Sequence, residues 1–281
     1  MGLAVHSGMV RRAWNARSHP TMSAPVIAHM TNPVRANFGA TGPALLSVFD
    51  RIVVINLPER ADRRAEIDAQ LRRIGLSLDH PSVTIFNGIR PSEAAGFPNI
   101  GTRGCFLSHL GVLKLARDEN WNAVLVLEDD LNFARNVNAL IPGLAAELSS
   151  RDWGMVYGFR PPELTAIPRS GPLLVEVPAS DSIICLHIVA FQREAILRAI
   201  PYLEAILERP AGSPDGGPMH VDGAYNWFRA AYPQFSTFVT RESLGFQRSS
   251  RTDIQLQGWP DRIPGVEPLV RRLRQIKNRF A

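Results

Sequence analysis

From residue 51 onward, short apolar runs alternate with longer stretches whose apolar residues recur every three or four positions. Residues 52–57, Ile-Val-Val-Ile-Asn-Leu, are β-branched and apolar enough for a strand buried on both faces. Residues 62–74 place Ile67, Leu71 and Ile74 at helical spacing with charges between them, and Gly75 follows as a helix stop. Residues 83–86 predict a second strand. Residues 103–117 predict a helix with Phe106, Leu107, Leu110, Leu113 and Leu115 mostly inward, and 123–127 a third strand. A helix over 136–148 and a strand over 155–157 follow. Such alternation predicts an α/β fold with a mainly parallel central sheet flanked by helices.

Past Gly158 the pattern changes. Residues 173–177 and 183–191 predict strands separated by a turn at 178–181, and 193–207 a helix. Residues 210–218 are a Gly/Pro loop, suited to a lid or a plain connector, and 221–231 predict a helix. Residues 235–262 read as irregular. In 266–280, Val266, Leu269, Val270, Leu273 and Ile276 recur among Lys277 and four arginines, the pattern of a basic amphipathic helix. Residues 1–49 are rich in Gly, Pro, Ser, Ala and Asn, lack periodicity, and are expected to be disordered. Three segments result: 1–49, a folded body over 50–265, and the basic helix over 266–281.

Composition narrows the class. The chain has 281 residues, 45% hydrophobic and 20% charged, an ordinary globular mix able to bury a core. No apolar stretch approaches the roughly 20 residues needed to span a bilayer. The first residues lack a basic segment followed by an apolar run, so no secretory leader is expected. Cys105 and Cys185 sit among apolar neighbours and read as two buried free thiols, which suits a reducing cytosol. Of the 31 basic residues, nine fall in 1–49 and 268–281, where there are no acids; 22 basic against 26 acidic residues remain between them. The body is therefore acidic on balance, with no sign of a nucleic-acid groove, and the basic ends suit an anionic membrane surface.

The most informative chemistry lies at residues 124–130, Val-Leu-Val-Leu-Glu-Asp-Asp, an apolar run that stops at three acids. Carboxylates so placed repel one another unless a positive charge joins them, and an oxygen-preferring cation, Mn²⁺ or Mg²⁺, supplies it. Glu128 and Asp130 at period-two spacing would leave a strand on one side. The alternative is a polar strand end whose acids cap the following helix. Behind the first strand, Asn56, Arg60 and Arg63 stand where a nucleotide phosphate commonly enters; Arg64 reads as a solvated first-turn residue. Ser108 and His109 are polar within an apolar helical pattern, and a lone buried His is usually a satisfied core residue. Asp222 follows the flexible loop; it is either a helix cap or a general base, with Asp181 a second candidate base. Trp227 and Trp259 could stack on sugar faces, although aromatic core packing is the commoner role.

Three segments in order carry a resemblance: Ile55-Asn56-Leu57 followed by Arg60, Arg63 and Arg64; Gly104-Cys105-Phe106-Leu107-Ser108-His109; and Leu127-Glu128-Asp129-Asp130. From about residue 51 to residue 253 the chain resembles glycosyltransferase family 25, which includes lipooligosaccharide galactosyltransferases and related domains acting on collagen hydroxylysine. The resemblance implies a GT-A-like domain with a nucleotide-binding half and a C-terminal acceptor-side half. It implies a Mn²⁺- or Mg²⁺-dependent, inverting transfer of a sugar, galactose by preference, from a UDP-sugar to a cell-surface glycan or its lipid-linked precursor. Asp130 then ligates the metal. Glu128 either joins it or faces the ribose or a metal-bound water, since the chain has Glu-x-Asp where Asp-x-Asp is usual. Asn56, Arg60, Arg63, Ser108, His109, Glu128, Asp129 and Gln247 become donor-binding candidates, and Asp222 the catalytic base. A cytoplasmic enzyme with a peripheral contact at the inner membrane face is expected. Two other readings stay open: a non-catalytic nucleotide- or glycan-binding protein on this fold, and a nucleotidyltransferase-like enzyme.

Overall fold

The computed structural model of the chain describes residues 41–248. In chain order they form α1 (Thr41–Leu46), β1 (Arg51–Asn56), α2 (Ala61–Arg73), β2 (Val83–Asn87), α3 (Ile100–Asp118), β3 (Ala123–Glu128), β4 (Leu131–Phe133) and α4 (Val137–Ser149). Then come β5 (Met155–Tyr157), β6 (Leu174–Val177), β7 (Ile188–Gln192), α5 (Arg193–Glu208), α6 (Val221–Ala231), β8 (Thr237–Thr240) and β9 (Gly245–Gln247). Seven strands build one sheet in the order β2-β1-β3-β7-β5-β8-β6, while β4 and β9 pair separately.

The sheet is mainly parallel in direction. β1 runs parallel to β2 and β3, and β5 parallel to β8; β7 and β6 run against them. Alternation along the strands feeds two cores. Val53, Val124 and Val126 face a layer with Phe106, Leu110 and Leu113 of α3, Leu203 of α5, and Tyr225 and Phe228 of α6. Ile52, Val54, Leu125 and Leu127 face the other layer, with Leu45, Ile67 and Leu71, and Leu140 and Leu144 of α4. Both faces are covered, which is why β1 and β3 read as continuous apolar runs.

Several elements differ from the sequence reading. Within the segment expected to be disordered, Thr41–Leu46 is helical, and Leu45 and Phe49 are buried against the second core. A six-residue helix is too short to show a period, so only its tertiary partners reveal it. α3 starts three residues before the expected 103, because Asn99 caps it: its Oδ1 accepts from Thr102 N at 2.8 Å. The strand expected over 183–191 begins only at Ile188, and Cys185 has a positive φ of 79° that a regular strand does not admit. The stretch read as irregular after residue 235 supplies β8, buried along its whole length, and β9. The expected basic helix over 266–281 and Trp259 lie outside the described residues. No helix among the described residues is long and apolar enough to cross a membrane.

Buried polar groups tie the second half together. The Arg229 guanidinium, 1% exposed, donates to the carbonyls of Asp181 and Pro178, both at 2.8 Å, and to Asn226 Oδ1 and Thr237 Oγ1, both at 3.1 Å. It pins the 178–181 turn and β8 to α6.

Candidate active site

β3 delivers Glu128 at its carboxyl end, where open α/β sheets place their ligands. Asp129 and Asp130 occupy the turn into β4, so the acids leave a strand end and a turn rather than one strand face. They do not cap α4, whose N-cap is Asn136. All three acids line one cavity of about 440 Å³, within the range of small-molecule sites. Ile55, Leu57, Ile89, Pro91 and Ile100 form its apolar wall; Arg63, Arg90, Cys105, Ser108 and Gln247 share the rest.

Each acid has a different environment. Asp129 is committed to the protein: Oδ2 accepts from Asn56 Nδ2 and Oδ1 from Arg63 Nη1, each at 2.8 Å. Asp130 Oδ2 accepts from Gln247 Nε2 at 3.2 Å and lies 3.5 Å from Arg63 Nη1. Its Oδ1 is buried without a hydrogen-bond partner. Burial, then the neighbouring Glu128 charge, pushes the Asp130 carboxyl up to about 7, with Arg63 pulling the other way. Glu128 Oε1 lies 3.5 Å from His109 Nε2 and 3.9 Å from the Cys105 thiol. Burial alone would raise Glu128; His109, His187 and Arg63 outweigh it, and its pKa falls below the usual carboxylate value.

Three carboxylates crowd one end of the cavity, and the buried Asp130 Oδ1 has no hydrogen-bond partner there. A divalent oxygen-seeking ion fits such a carboxylate group.

The other candidates fall at different distances from this centre. Asn56, 1% exposed, lies beneath it; besides Asp129 it donates to Arg60 O at 3.2 Å and accepts from Arg64 Nε at 3.0 Å. Arg64 is therefore a brace on Asn56, not the solvated residue expected. Arg60 does not line the cavity; it grips Asp62 at 2.9 Å and holds that carboxyl down at about 2. Ser108 lines the cavity with its hydroxyl engaged, accepting from Ile89 N at 2.8 Å and donating to Gly104 O at 2.7 Å. A Cβ on Gly104 would meet Ile89 O at 2.4 Å, so the glycine lets this loop cross α3 and Ser108 fastens it one turn on. His109 stands behind Glu128, with Nδ1 3.5 Å from Tyr225 Oη.

Asp222 lies outside the cavity lining. It is in the first turn of α6, whose cap is His220, so the capping role considered for it does not hold. Its Oδ2 accepts from Cys185 N at 3.3 Å and Oδ1 from Gly223 N at 2.8 Å. The Asp222 charge helps raise the Cys105 thiol, behind burial and Glu128. Asp181 lines a second cavity, of about 560 Å³, together with Glu163, Glu176 and Ile184. Cys185, bonded to Asp222, follows Ile184 directly. Trp227 is 41% exposed rather than a core residue, and lies against Gly216.

Two residues without an individual site role in the sequence reading also meet the acid turn or the cavity. Arg248 donates from its backbone to Asp130 O at 2.7 Å and from its side chain to Asp129 O at 2.8 Å, closing β9 over the acid turn. Cys105, read as an inert thiol, faces the cavity; its i, i+4 spacing from His109 was the available signal.

Residues 99–155, from the α3 cap to the start of β5, match glycosyltransferase family 25 (LPS biosynthesis protein). The chain is 31% identical over 130 residues to a procollagen galactosyltransferase 1-B of Xenopus laevis, covering 39% of this chain and 21% of that protein. It is 25% identical over 148 residues to a human inactive glycosyltransferase 25 family member 3, covering 46% and 24%. The chain thus matches only about a fifth to a quarter of the length of these relatives. A glycosyltransferase involved in glycosylation of the major capsid of PBCV-1 superposes with a TM-score of 0.44 and 9% identity, over 82% of this chain and 98% of its own. The class defined is a mixed α/β fold around a seven-stranded, mainly parallel sheet. Within it, the segment that matches the family 25 model holds Cys105, Ser108, His109 and all three acids.

Proposed function

We propose that the protein is a metal-dependent glycosyltransferase that moves a sugar from a UDP-sugar to a hydroxyl of a glycan or glycolipid. The observation that carries this reading is the cavity at the end of β3, where an apolar wall faces Arg63, Glu128 and the half-unpartnered Asp130. Galactose is the proposed sugar, in keeping with the name of the Xenopus relative. The proposed acceptor is a cell-surface glycan or its lipid-linked precursor, met at the cytoplasmic face of the membrane.

Asp130, with Glu128 beside it, would hold Mn²⁺ or Mg²⁺, which when bound neutralises charge developing on a diphosphate leaving group. The protein's own residues do the rest. Ile55, Leu57 and Ile89 offer an apolar face to the base. Arg63, fixed by Asp129, keeps a positive charge at the phosphate end. Gln247 and Arg248 hold the β9 segment against the acid turn. Asp222, whose carboxylate accepts from Cys185 N, takes the proton from the acceptor hydroxyl as its oxygen attacks the anomeric carbon.

A screen of UDP-sugars for Mn²⁺-dependent UDP release tests this reading. Release that is unchanged by EDTA would remove the metal. Release of pyrophosphate from a nucleotide triphosphate would make the protein a nucleotidyltransferase. The human relative's description as inactive gives weight to a second reading, a binding protein that kept the fold. Tight UDP binding with no turnover of any UDP-sugar would favour it.

A further inference from the structure

We propose that Cys105, His109 and Glu128 form a separate site for a thiophilic divalent ion, zinc in the first instance, beside the position assigned to the oxygen-seeking ion. Cys105 and His109 are four residues apart on α3 and present the same face to the end of β3. Glu128 Oε1 lies 3.9 Å from Cys105 Sγ and 3.5 Å from His109 Nε2, and the three ligating atoms lie within 4.8 Å of one another. Zinc bonds of roughly 2.0 to 2.3 Å in tetrahedral geometry set ligand atoms about 3.3 to 3.8 Å apart. The trio closes to that size by rotamer adjustment of about an ångström at most.

The imidazole supplies independent support. His109 is 1% exposed, and its Nε2, turned toward Glu128, makes no hydrogen bond. Its neighbour there is the Glu128 carboxylate at 3.5 Å, and a metal between the two satisfies both. The opposite nitrogen, Nδ1, lies 3.5 Å from the buried Tyr225 hydroxyl. A proton on Nδ1 directed at Tyr225 Oη leaves the Nε2 lone pair for the ion, the hydrogen bond on the opposite nitrogen that is usual for metal-binding histidines. Cys105 and Glu128 also line the cavity, so the fourth position opens onto it and takes water or a ligand oxygen.

Ligand chemistry separates the two ions. A thiolate and an imidazole select zinc or cobalt over Mn²⁺ and Mg²⁺. Binding breaks the Cys105 S–H bond, forms a sulfur–metal bond and releases one proton to solvent. Glu128 cannot serve both ions fully, so zinc is expected to inhibit Mn²⁺-dependent turnover. That consequence alone rests on the glycosyltransferase reading; the site itself does not.

Cobalt titration of the full chain gives a test without turnover. One equivalent of Co²⁺ should produce a thiolate-to-cobalt charge-transfer band that one equivalent of Zn²⁺ removes. Cys105→Ser should abolish the band, and His109→Gln should weaken cobalt binding at least about tenfold, the scale found for disturbed metal sites. Cys185→Ser and Asp130→Asn should keep it. Circular dichroism would confirm that each variant is folded. Absence of the band in the wild type, its survival in Cys105→Ser, or its loss in Asp130→Asn would overturn the proposal.

Discussion

At the scale of single residues, environment decides what like groups do. Asp129 and Asp130 are adjacent, yet one is spent on Asn56 and Arg63 while the other keeps a buried oxygen without a partner. The raised Asp130 carboxyl has a consequence for stability. Its folded pKa of about 7 lies above the ordinary 3.8, so the folded state holds the proton more tightly than the unfolded state. Stability linked to this group is present below the ordinary value and is lost as pH rises through about 7 in metal-free protein. Asp130→Asn should therefore raise Tm at pH 8 in EDTA by a few degrees and change it much less at about pH 3.5, below the ordinary carboxylate value, while abolishing transfer. An equal Tm change at both pH values would contradict the buried-proton account. Asp222 makes a complementary case. Asp222→Asn retains an oxygen to accept from Cys185 N, so donor binding and fold should hold while kcat falls roughly 10²-fold or more, the scale of general-base catalysis. Normal turnover would move the base elsewhere, with Asp181 next to be tested.

Elements bring the site together. The β4–β9 ladder joins residues more than a hundred positions apart and sets Gln247 opposite Leu131. Gly245 permits it: a Cβ there would meet Asn132 O and Leu131 Cδ1, each at 2.6 Å. Gly245→Val should loosen the ladder, raise the KM for the donor several-fold and increase proteolysis near residue 245, with a smaller effect on global Tm. Unchanged KM and proteolysis would show that the ladder does not organise the cavity. Arg229 performs the corresponding service in the second half of the chain. Arg229→Ala removes donors from the Asp181 and Pro178 carbonyls and is expected to cost about 2–4 kcal/mol, readable by urea denaturation. Neither device was visible in the sequence. β4 and β9 are three residues long, too short for a period to register, and Arg229 differs from a surface arginine only in what surrounds it.

Across the whole molecule, the acidic body and the basic ends suggest division of labour. The C-terminal basic repeat lies outside the described residues, and the expectation for it comes from its sequence. The full chain should co-sediment with anionic vesicles at low salt and release at high salt, each basic residue adding about 1 kcal/mol near the surface. A chain ending at Pro268 should bind much less; equal and negligible binding by both would remove the membrane role.

What the sequence by itself determined is the part written in local order. Continuous apolar runs marked β1 and β3, because strands covered on both faces admit no polar alternation. Helical spacing marked α2, α3 and α6, and the abrupt stop at Glu128 marked the strand end that opens onto the cavity. Tertiary structure alone decided the division of roles among the acids, since hydrogen bonds from Asn56, Arg63 and Gln247 arrive from remote strands and helices. It also decided that Cys105 and His109 meet Glu128, that β8 enters the sheet, and that Thr41–Leu46 is ordered. Pattern reports how a segment meets a generic core; which atoms meet within that core depends on contacts distant in sequence, and these no local period encodes.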